Sequence, residues 1–303
     1  MRHKVFSSVL LTSMAIWSVD AELVQIANKP YDDGLGNASG GVYRIPAMAK
    51  STNGVIVAVY DCRYNSSGDL PNVIDLAENW SGDNGATWLK PRVAVDVPNT
   101  NNYQKVCNIG DPCIVYDPDG DKFWLMGITG GGLASSHDSS GNSIADVVLY
   151  TRGTGENDTW QEWTGGPEGN RRSVKQMILN SLADVEGNET YRDENQIRGI
   201  LQGPGHGIVQ RQTVYAADGE TVLMPAGAIV FPMQYFIDGN FSNTRTFAVY
   251  STDGGAHWNA TKLTPANDNA QENCVMELDD GSWYMISGVY PFFDRQSASR
   301  PDK

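Results

Sequence analysis

The residues whose types could do chemistry are arginines and carboxylic acids in short, turn-like stretches between apolar runs. They are Arg44 in Tyr43-Arg44-Ile45-Pro46, Arg63 in Asp61-Cys62-Arg63, Asp69 in Gly68-Asp69-Leu70-Pro71-Asn72, Asp111 in Gly110-Asp111-Pro112 and Glu272 in Gln271-Glu272-Asn273. A guanidinium grips a carboxylate in two places and stays charged, and a carboxylic acid can donate and accept protons. Asp69 and Asp111 are also ordinary turn formers. Their chemistry therefore depends on whether the fold brings them together.

Short strand-like runs, without any convincing helix, must position these residues. Gly and Pro, 32 and 14 in number, punctuate the chain, and few stretches have apolar residues at three- and four-residue spacing. The runs are Val55–Tyr60, Pro112–Tyr116, Phe123–Ile128, Ala145–Tyr150, Thr221–Met224, Ala228–Phe231, Thr246–Tyr250, Cys274–Leu278 and Trp283–Ile286. Many are bounded by Asp, Asn, Gly or Pro, as hairpin ends are. The pattern predicts an all-β sandwich, barrel or propeller.

A repeated turn motif selects the propeller. Ser81–Trp88 and Ser251–Trp258 share the pattern Ser-x-Asp-x-Gly-x-x-Trp, and a degenerate copy runs over Thr151–Trp160. In such a turn the Ser and Asp side chains bond nearby backbone amides, Gly accepts a positive φ, and Trp packs beneath the hairpin. Two close copies predict the Asp-box blades of a β-propeller.

The aspartates of the two motifs are interpreted as structural. Asp83 and Asp253 lack the ligand density of a calcium loop, and repetition suits a fold element. The polar segment Gly153–Glu194 between the motifs is predicted to form long loops or an insertion without chemistry of its own. No metal site is predicted.

The acidity of the chain narrows the class of partner. A net charge of −14 and a pI near 4.6 argue against nucleic acid or an anionic membrane surface, because no basic stripe is present. An anionic sugar remains compatible, since a few arginines in a pocket can set the local potential against the global charge.

The cysteines permit disulfides without dictating them. Cys62, Cys107, Cys113 and Cys274 match no zinc spacing, and their complete pairing has three alternatives. Cys107 and Cys113 bracket Asp111, where a disulfide would stiffen the loop, although either could pair with Cys62 instead.

The N-terminus predicts export. Arg2, His3 and Lys4 precede the apolar run Val5–Val19, and Ala21 ends a small-residue exit. The run is too short for a membrane span, and no later segment approaches the roughly 20 apolar residues that a span needs. We predict a signal peptide at residues 1–21 and a propeller domain at residues 22–303, secreted or in the lumen of the secretory pathway.

The order of these features resembles that of the exo-α-sialidases with Asp-box repeats. Tyr43-Arg44-Ile45-Pro46 is similar to the family's Phe/Tyr-Arg-Ile-Pro motif, and a strand-like run, Arg63, the Asp69 turn and the first Asp box follow it in family order. The resemblance implies an all-β, six-bladed propeller that is incomplete at the C-terminus. It also implies a hydrolase that removes terminal sialic acid from glycoproteins, glycolipids and oligosaccharides, with no cofactor.

The resemblance assigns roles to the residues in the first half of the chain. Arg44 corresponds to the first of three arginines that bind the sugar carboxylate, and Arg63 to the arginine that supports it. Asp69 corresponds to the general acid/base, with Asp75 in a strand-like register as its competitor. Asp111 corresponds to the aspartate that holds the N-acyl side of the sugar.

The later residues complete the implied mechanism, which is hydrolysis with retention. Glu272 corresponds to the glutamate that activates a tyrosine nucleophile, while nearby Glu277 precedes a predicted hairpin tip at Asp279-Asp280-Gly281. Arg295 corresponds to the second carboxylate-binding arginine, with Arg300 as the alternative. The family's third arginine and its tyrosine would lie beyond Lys303, so residues 1–303 alone are expected to have little or no hydrolytic activity.

Two other classes of function compete with this interpretation. One is a propeller that binds sialylated glycans without cleaving them, or a non-functional fragment of an enzyme. The other is an Asp-box protein unrelated to sialidases, against which Tyr43-Arg44-Ile45-Pro46 argues. Fold analogy by itself would not separate them.

Overall fold

The computed structural model consists almost entirely of strands and turns. It describes residues 23–36, 40–70, 72–97, 108–130, 147–163, 177–178, 181, 197–237, 244–262 and 270–289. Within these ranges, helical backbone occurs only at residues 177, 178 and 181. Among the described residues there is no helix that is long and apolar enough to cross a membrane. The predicted signal peptide and most of Gly153–Glu194 lie outside the described residues.

The first sheet is a series of consecutive antiparallel hairpins. Its strands, in spatial order, are β1 (Val42–Lys50), β2 (Ile56–Arg63), β3 (Ile74–Ser81) and β4 (Arg92–Val95). Nearly all of β2 is buried, because it has a strand on each side and packing on both faces. The run predicted at Val55–Tyr60 is confirmed as β2. The sequence did not predict β1, whose apolar pattern is interrupted by Pro46.

The second sheet repeats this plan. Its antiparallel strands are β5 (Ile109–Asp117), β6 (Lys122–Thr129), β7 (Val147–Gly153) and β8 (Gln161–Glu162). At the turn between β5 and β6, the Asp117 carboxylate accepts hydrogen bonds from the backbone N–H groups of Asp119 at 3.1 Å and Gly120 at 3.0 Å. This is the local side-chain capping that favours Asp in tight turns.

The third sheet has an interrupted inner strand. Its region contains β9 (Ile197–Gln202), β10 (Gly205–His206), β11 (Ile208–Val209), β12 (Val214–Tyr215), β13 (Val222–Met224), β14 (Ile229–Ile237), β15 (Thr244–Ser251) and β16 (Asn259–Ala260). β9 and β11 both pair with β14, so they are two parts of one inner strand, whereas β10 pairs in parallel with β5 of the second sheet. β12 and β13 form a separate hairpin.

The fourth sheet is a hairpin of β17 (Ala270–Glu277) and β18 (Trp283–Val289). The predicted hairpin tip is confirmed, since Gly281 has a φ of 81° and donates its N–H to Leu278 O at 2.9 Å. Asp280 accepts bonds from the backbone and hydroxyl of Ser282. Those contacts lower the pKa of the Asp280 carboxyl, the hydroxyl contact most strongly.

The sheets stack face to face in chain order. β5 contacts β1, β2 and β3 of the first sheet, β9 contacts the strands of the second, and β17 contacts β14 and β15 of the third. This is the arrangement of propeller blades around their inner strands. The predicted all-β propeller is therefore confirmed.

Apolar side chains fill the space between neighbouring sheets. A first layer joins the first two sheets through Val57, Val59, Leu76, Ile114, Phe123 and Leu125. A second layer joins the second and third sheets through Trp124, Met126, Leu149, Phe231, Phe247 and Trp258. Each such side chain contributes about 1.5–3 kcal/mol when fully buried. The stacking of sheets is thus driven by burial.

The two Asp boxes form turns of the same geometry. Ser81 Oγ donates to Asp83 Oδ1 at 2.9 Å and accepts from the Gly85 N–H at 2.9 Å. In the second box, Ser251 makes the equivalent bonds to Asp253 and Gly255, both at 2.8 Å. Both aspartates are therefore engaged in their own turns, as predicted for structural residues.

A buried charge cluster also ties the first sheet to the second. Glu78 of β3 accepts two hydrogen bonds from Arg152 of β7, at 2.7 and 2.8 Å, and one from Trp160 Nε1 at 2.8 Å. Arg92 donates to the same carboxylate at 2.7 Å. The side chains of Glu78 and Arg152 are 2% and 0% exposed, so the buried Arg152 charge depends on Glu78 for compensation.

We expect Glu78→Ala to lower the free energy of unfolding by about 3–5 kcal/mol, because it leaves the Arg152 charge buried without an anionic partner. Urea unfolding followed by tryptophan fluorescence measures this change. Glu156→Ala, at an exposed position of the neighbouring turn, is the control and should change stability by less than about 0.5 kcal/mol. Equal stability of the two variants would contradict the structural role of Glu78.

Candidate active site

Three inner strands carry a β-bulge in which a non-glycine residue has a positive φ. Ile45 in β1, Asp111 in β5 and Glu272 in β17 have φ values of 52°, 55° and 48°, and each lies at a shift in pairing register. Non-glycine residues seldom adopt this conformation, and bulges commonly re-aim side chains near functional sites. The predicted acids Asp111 and Glu272 are thus bulge residues themselves, and Arg44 directly precedes the bulge residue Ile45.

Arg44 and Arg63 meet at Asp69. Arg44 Nη1 lies 3.3 Å from Asp69 Oδ1 and donates to Ser67 O at 3.0 Å. Arg63 Nη1 donates to the same two atoms, at 2.5 Å and 2.8 Å. The Arg63 side chain is only 2% exposed, while those of Arg44 and Asp69 are 43% and 78% exposed. A fixed arginine and an accessible arginine therefore flank one accessible carboxylate.

The buried carboxylate of Asp61 holds Arg63 in place. Arg63 donates to Asp61 Oδ2 from Nε at 3.0 Å and from Nη2 at 2.7 Å. Burial raises the pKa of Asp61 to about 6, against the opposing effect of the Arg63 hydrogen bonds and charge. At neutral pH the pair is ionised, which fixes the orientation of the Arg63 guanidinium.

The peptide of Asp111 is held from two neighbouring sheets. Its N–H donates to Asp61 Oδ1 at 2.8 Å, from the first sheet. Its carbonyl accepts a hydrogen bond from Gln202 Nε2 at the end of β9. Burial raises the pKa of Asp111 to about 7, and the negative charges of Asp61, Asp69 and Glu272 add to the effect. The charges of Asp69 and Glu272, from the first and fourth sheets, therefore both affect the pKa of Asp111 on the second.

Glu272 is held in the same way by the third sheet. Its backbone N–H donates to Gln234 Oε1 of β14, while its side chain is exposed. The next residue, Asn273, donates to Met233 O at 2.8 Å. A Cβ on Gly203 would lie 1.8 Å from Asn273 O, so only glycine allows this approach of the third and fourth sheets.

Asp75 and Glu277, the competing acids, form contacts with residues other than the two arginines. Asp75, the alternative to Asp69, accepts a hydrogen bond from Tyr64 Oη at 2.7 Å, and burial raises its pKa to about 6. Glu277 pairs with Arg211 at 3.1 Å. Neither acid contacts Arg44 or Arg63 in the described bonds. Arg295 and its alternative Arg300 lie outside the described residues.

The sequence interpretation missed three buried polar residues that hold the site. In the sequence, Asp61 is recognisable only as a neighbour of Arg63, and no motif assigns a role to Gln202 or Gln234. Asp61 and Gln202 are 0% exposed and Gln234 is 1% exposed. The available signal was the occurrence of polar side chains within strands that are otherwise apolar, because buried polar groups require partners.

The three cysteines that lie within the described ranges are free thiols. Cys62 and Cys113 are buried free thiols, and Cys274 is an exposed one. Burial raises the pKa of the Cys113 thiol well above its ordinary value. Cys107 lies outside the described residues. A bridge between Cys62 and Cys113, one of the pairings that the sequence allowed, is therefore absent from the described part of the chain.

The arrangement can bind an anion and exchange a proton beside it. Arg44 and Arg63 supply positive charge beside the Asp69 carboxyl, a type of group that can exchange a proton. Asp111 and Glu272 add carboxyls on the second and fourth sheets. Within the described ranges, no group of three or more His, Cys, Asp or Glu residues is placed to hold a metal ion.

Stacked antiparallel sheets with Asp-box turns define an Asp-box β-propeller. The BNR repeat-like domain family matches residues 45–289. The chain belongs to this family, and the curated relatives it resembles include sialidases, which confirms the predicted resemblance. A sialidase of Bacteroides fragilis (strain YCH46) is 27% identical over 255 residues, which is 81% of this chain. A sialidase of Paraclostridium sordellii is 26% identical over 285 residues, or 91% of this chain.

Solved structures show the same fold. A Hadza microbial sialidase superposes with a TM-score of 0.59 at 21% identity, covering 82% of this chain and 42% of that one. The Trypanosoma rangeli sialidase in complex with the inhibitor DANA gives a TM-score of 0.55 at 20% identity, covering 82% of this chain and 35% of that one. The chain spans 39% of the Bacteroides relative and 61% of the Paraclostridium relative.

The raised pKa of Asp111 predicts a pH-dependent stability. Its ordinary pKa is 3.8 and its folded pKa is about 7, so the folded state binds the proton more tightly. Its contribution to the free energy of unfolding is full below about pH 4 and is lost as the pH rises through about 7. Asp111→Asn should shrink the wild-type fall in stability between pH 5 and pH 8 by more than about 1 kcal/mol.

Urea unfolding at the two pH values measures the Asp111 effect. Asp83→Asn is the control, because hydrogen bonds from Thr87 lower the pKa of Asp83 to about 2, and the residue stays ionised throughout this range. An Asp111→Asn variant with the same pH dependence as the wild type would show that Asp111 is not the titrating group.

Proposed function

We propose that the chain carries the sialic acid-binding and proton-transfer residues of an exo-α-sialidase. The observation that carries the proposal is the contact of Arg44 and Arg63 with the accessible carboxylate of Asp69. The curated relatives of the chain include sialidases. The substrates would be glycans that end in sialic acid, on proteins, on lipids or as free oligosaccharides. Such a sugar presents the carboxylate that the arginines are suited to grip.

Arg44 is the residue proposed to bind the sugar carboxylate. Its guanidinium is partly exposed and donates hydrogen bonds to Ser67 O and Asp69 Oδ1 from Nη1. A substrate carboxylate can therefore reach the free edge of the guanidinium. Arg63 is fixed by Asp61 and keeps positive charge beside Arg44, which strengthens the local potential for an anion in a chain of net charge −14.

Asp69 is proposed to act as general acid and then as general base. Its turn is set by Asn72, whose backbone and side-chain nitrogens donate to Asp69 O at 3.1 and 2.7 Å. The carboxyl can protonate the leaving glycosidic oxygen and afterwards take a proton from water. Substrate binding would also replace the contact between Asp69 and Arg44, freeing both groups for the sugar.

Glu272 and Asp111 are proposed to act on the other side of the sugar. Asp111 would hold the N-acyl group, and Glu272 would activate a tyrosine nucleophile, giving retention of configuration. A neutral phenol suits this sugar, because a carboxylate nucleophile would approach the substrate's own carboxylate against like charge. Arg295 would be a further carboxylate ligand, and no cofactor enters the scheme.

Arg44→Ala tests the proposal in the natural gene product. We expect kcat/KM for a fluorogenic sialoside and affinity for the inhibitor DANA each to fall by about 10- to 100-fold, since a charged hydrogen bond contributes about 1.5–3 kcal/mol. The melting temperature should stay within a few degrees, because exposed ion pairs add little stability. Arg211→Ala, which removes an arginine paired with Glu277 instead, is the matched control.

The outcomes separate the candidate functions. Turnover lost in Arg44→Ala and kept in Arg211→Ala supports a sialidase. Binding of DANA without turnover by the wild type would instead identify a sialic acid-binding propeller. Normal turnover by Arg44→Ala would remove the carboxylate-binding role from this residue.

We also propose that the protein is exported through its N-terminal segment. The support is the basic start, the apolar run Val5–Val19 and the small-residue exit at Ala21. Protein secreted by its natural host should begin at Glu22 when its N-terminus is sequenced. A mature protein that retains Met1 would contradict the proposal.

A further inference from the structure

Asp61 and Gln234 occupy equivalent positions in the first and third sheets. Asp61 of β2 pairs with Leu76, and Gln234 of β14 pairs with Thr246. The segment from Leu76 to the Asp-box Ser81 has the same length as that from Thr246 to the Asp-box Ser251. Within each sheet, the residue therefore lies at the same distance from the Asp-box turn.

Both residues use a side-chain oxygen for the same purpose. Asp61 Oδ1 accepts the backbone N–H of Asp111, and Gln234 Oε1 accepts the backbone N–H of Glu272. In each pair the donor is the positive-φ bulge residue in the inner strand of the next sheet. The repeat has thus produced the same inter-sheet contact twice, at two acids proposed to act on the substrate.

A bulge explains why such an acceptor is needed. The extra residue is not paired in its own sheet, so its N–H needs another partner when it is buried. A left-handed conformation at a non-glycine residue is also strained and persists only where neighbouring contacts enforce it. Asp61 and Gln234 are 0% and 1% exposed, so their oxygens are not competed for by bulk water.

The difference between the two residues fits their surroundings. The Asp61 carboxylate is compensated by Arg63 at 2.7 Å. The neutral amide of Gln234 lies against the peptide of Glu272 and adds no negative charge there. A carboxylate at that position would oppose ionisation of Glu272 through like charge. The acceptor is therefore matched to the charge of each site.

We propose that Asp61 and Gln234 are positioning residues that fix the active-site acids Asp111 and Glu272 through their backbone N–H groups. The proposal rests on the proposed function for the roles of these two acids. Loss of the Gln234 acceptor should disturb Glu272 and the chemical step. Loss of the Asp61 carboxylate should disturb Asp111 and Arg63, and hence substrate binding.

Gln234→Met removes the acceptor and keeps a side chain of similar size. Hydrogen exchange of the Glu272 amide, resolved by NMR in the full chain, should accelerate by at least about tenfold. In sialoside turnover by the natural gene product, kcat should fall by about tenfold or more while KM changes by less than about twofold. A general loss of folding would not produce this split.

Gln210→Met is the matched control. Gln210 is a buried glutamine that also joins the third and fourth sheets, donating to Gly281 O at 2.9 Å and accepting from Trp283 Nε1 at 2.5 Å. The control should lose stability but leave Glu272 exchange and kcat per folded molecule unchanged.

If Gln234→Met does not fold, Gln234→Glu keeps an acceptor oxygen and should retain slow Glu272 exchange.

Asp61→Asn tests the first sheet in the same way. The amide offers one acceptor oxygen, which cannot serve both Arg63 and the Asp111 N–H as the carboxylate does. We expect KM for the sialoside and Kd for DANA to rise by about tenfold, with a smaller change in kcat. Unchanged KM and Kd in a folded Asp61→Asn variant would overturn the role of Asp61.

The exchange measurement keeps the two proposals separable. If the wild type neither binds DANA nor cleaves sialosides, the proposed function fails, but faster Glu272 exchange in Gln234→Met still supports the positioning contact. If Glu272 exchange is unchanged in a folded Gln234→Met variant, the positioning role is wrong whatever the sialoside assay shows.

Discussion

A strand N–H that is left unpaired by a bulge has to find an acceptor outside its own sheet, and the site depends on how this requirement is met. The bulges at Asp111 and Glu272 create two such groups. Their acceptors come from the preceding sheet, so the position of each acid is determined by the stacking of two sheets. Apolar burial drives that stacking, while the polar contacts select one relative placement.

The same contacts organise the charges. Asp61 holds Arg63 with one carboxylate oxygen and Asp111 with the other, so a single buried group links a cation to an acid on another sheet. Arg63 in turn contacts Asp69, which also contacts Arg44. The connected groups contain both signs of charge, which explains how a chain of net charge −14 can present arginines to an anion.

The sequence was informative where structure is local. The Asp boxes and most strands were predicted, since turn chemistry and apolar runs are determined by neighbouring residues. β1 was missed because Pro46 breaks its pattern, and the bulge that accommodates the proline is not visible in composition. Gln234 was missed for a different reason. Its partner, Glu272, lies in another sheet, and no spacing rule connects the two residues.

The same positive-φ bulge carries different functional groups in different sheets. In the second and fourth sheets the positive-φ residue is itself an acid, Asp111 or Glu272, whereas in the first sheet it is Ile45 and the arginine directly precedes it. Moving the functional residue by one position along a bulged strand redirects its side chain, because successive residues of a strand face opposite ways and the bulge alters that alternation. A repeated fold can therefore present unlike groups at one site while each sheet keeps the same hydrogen-bonded frame.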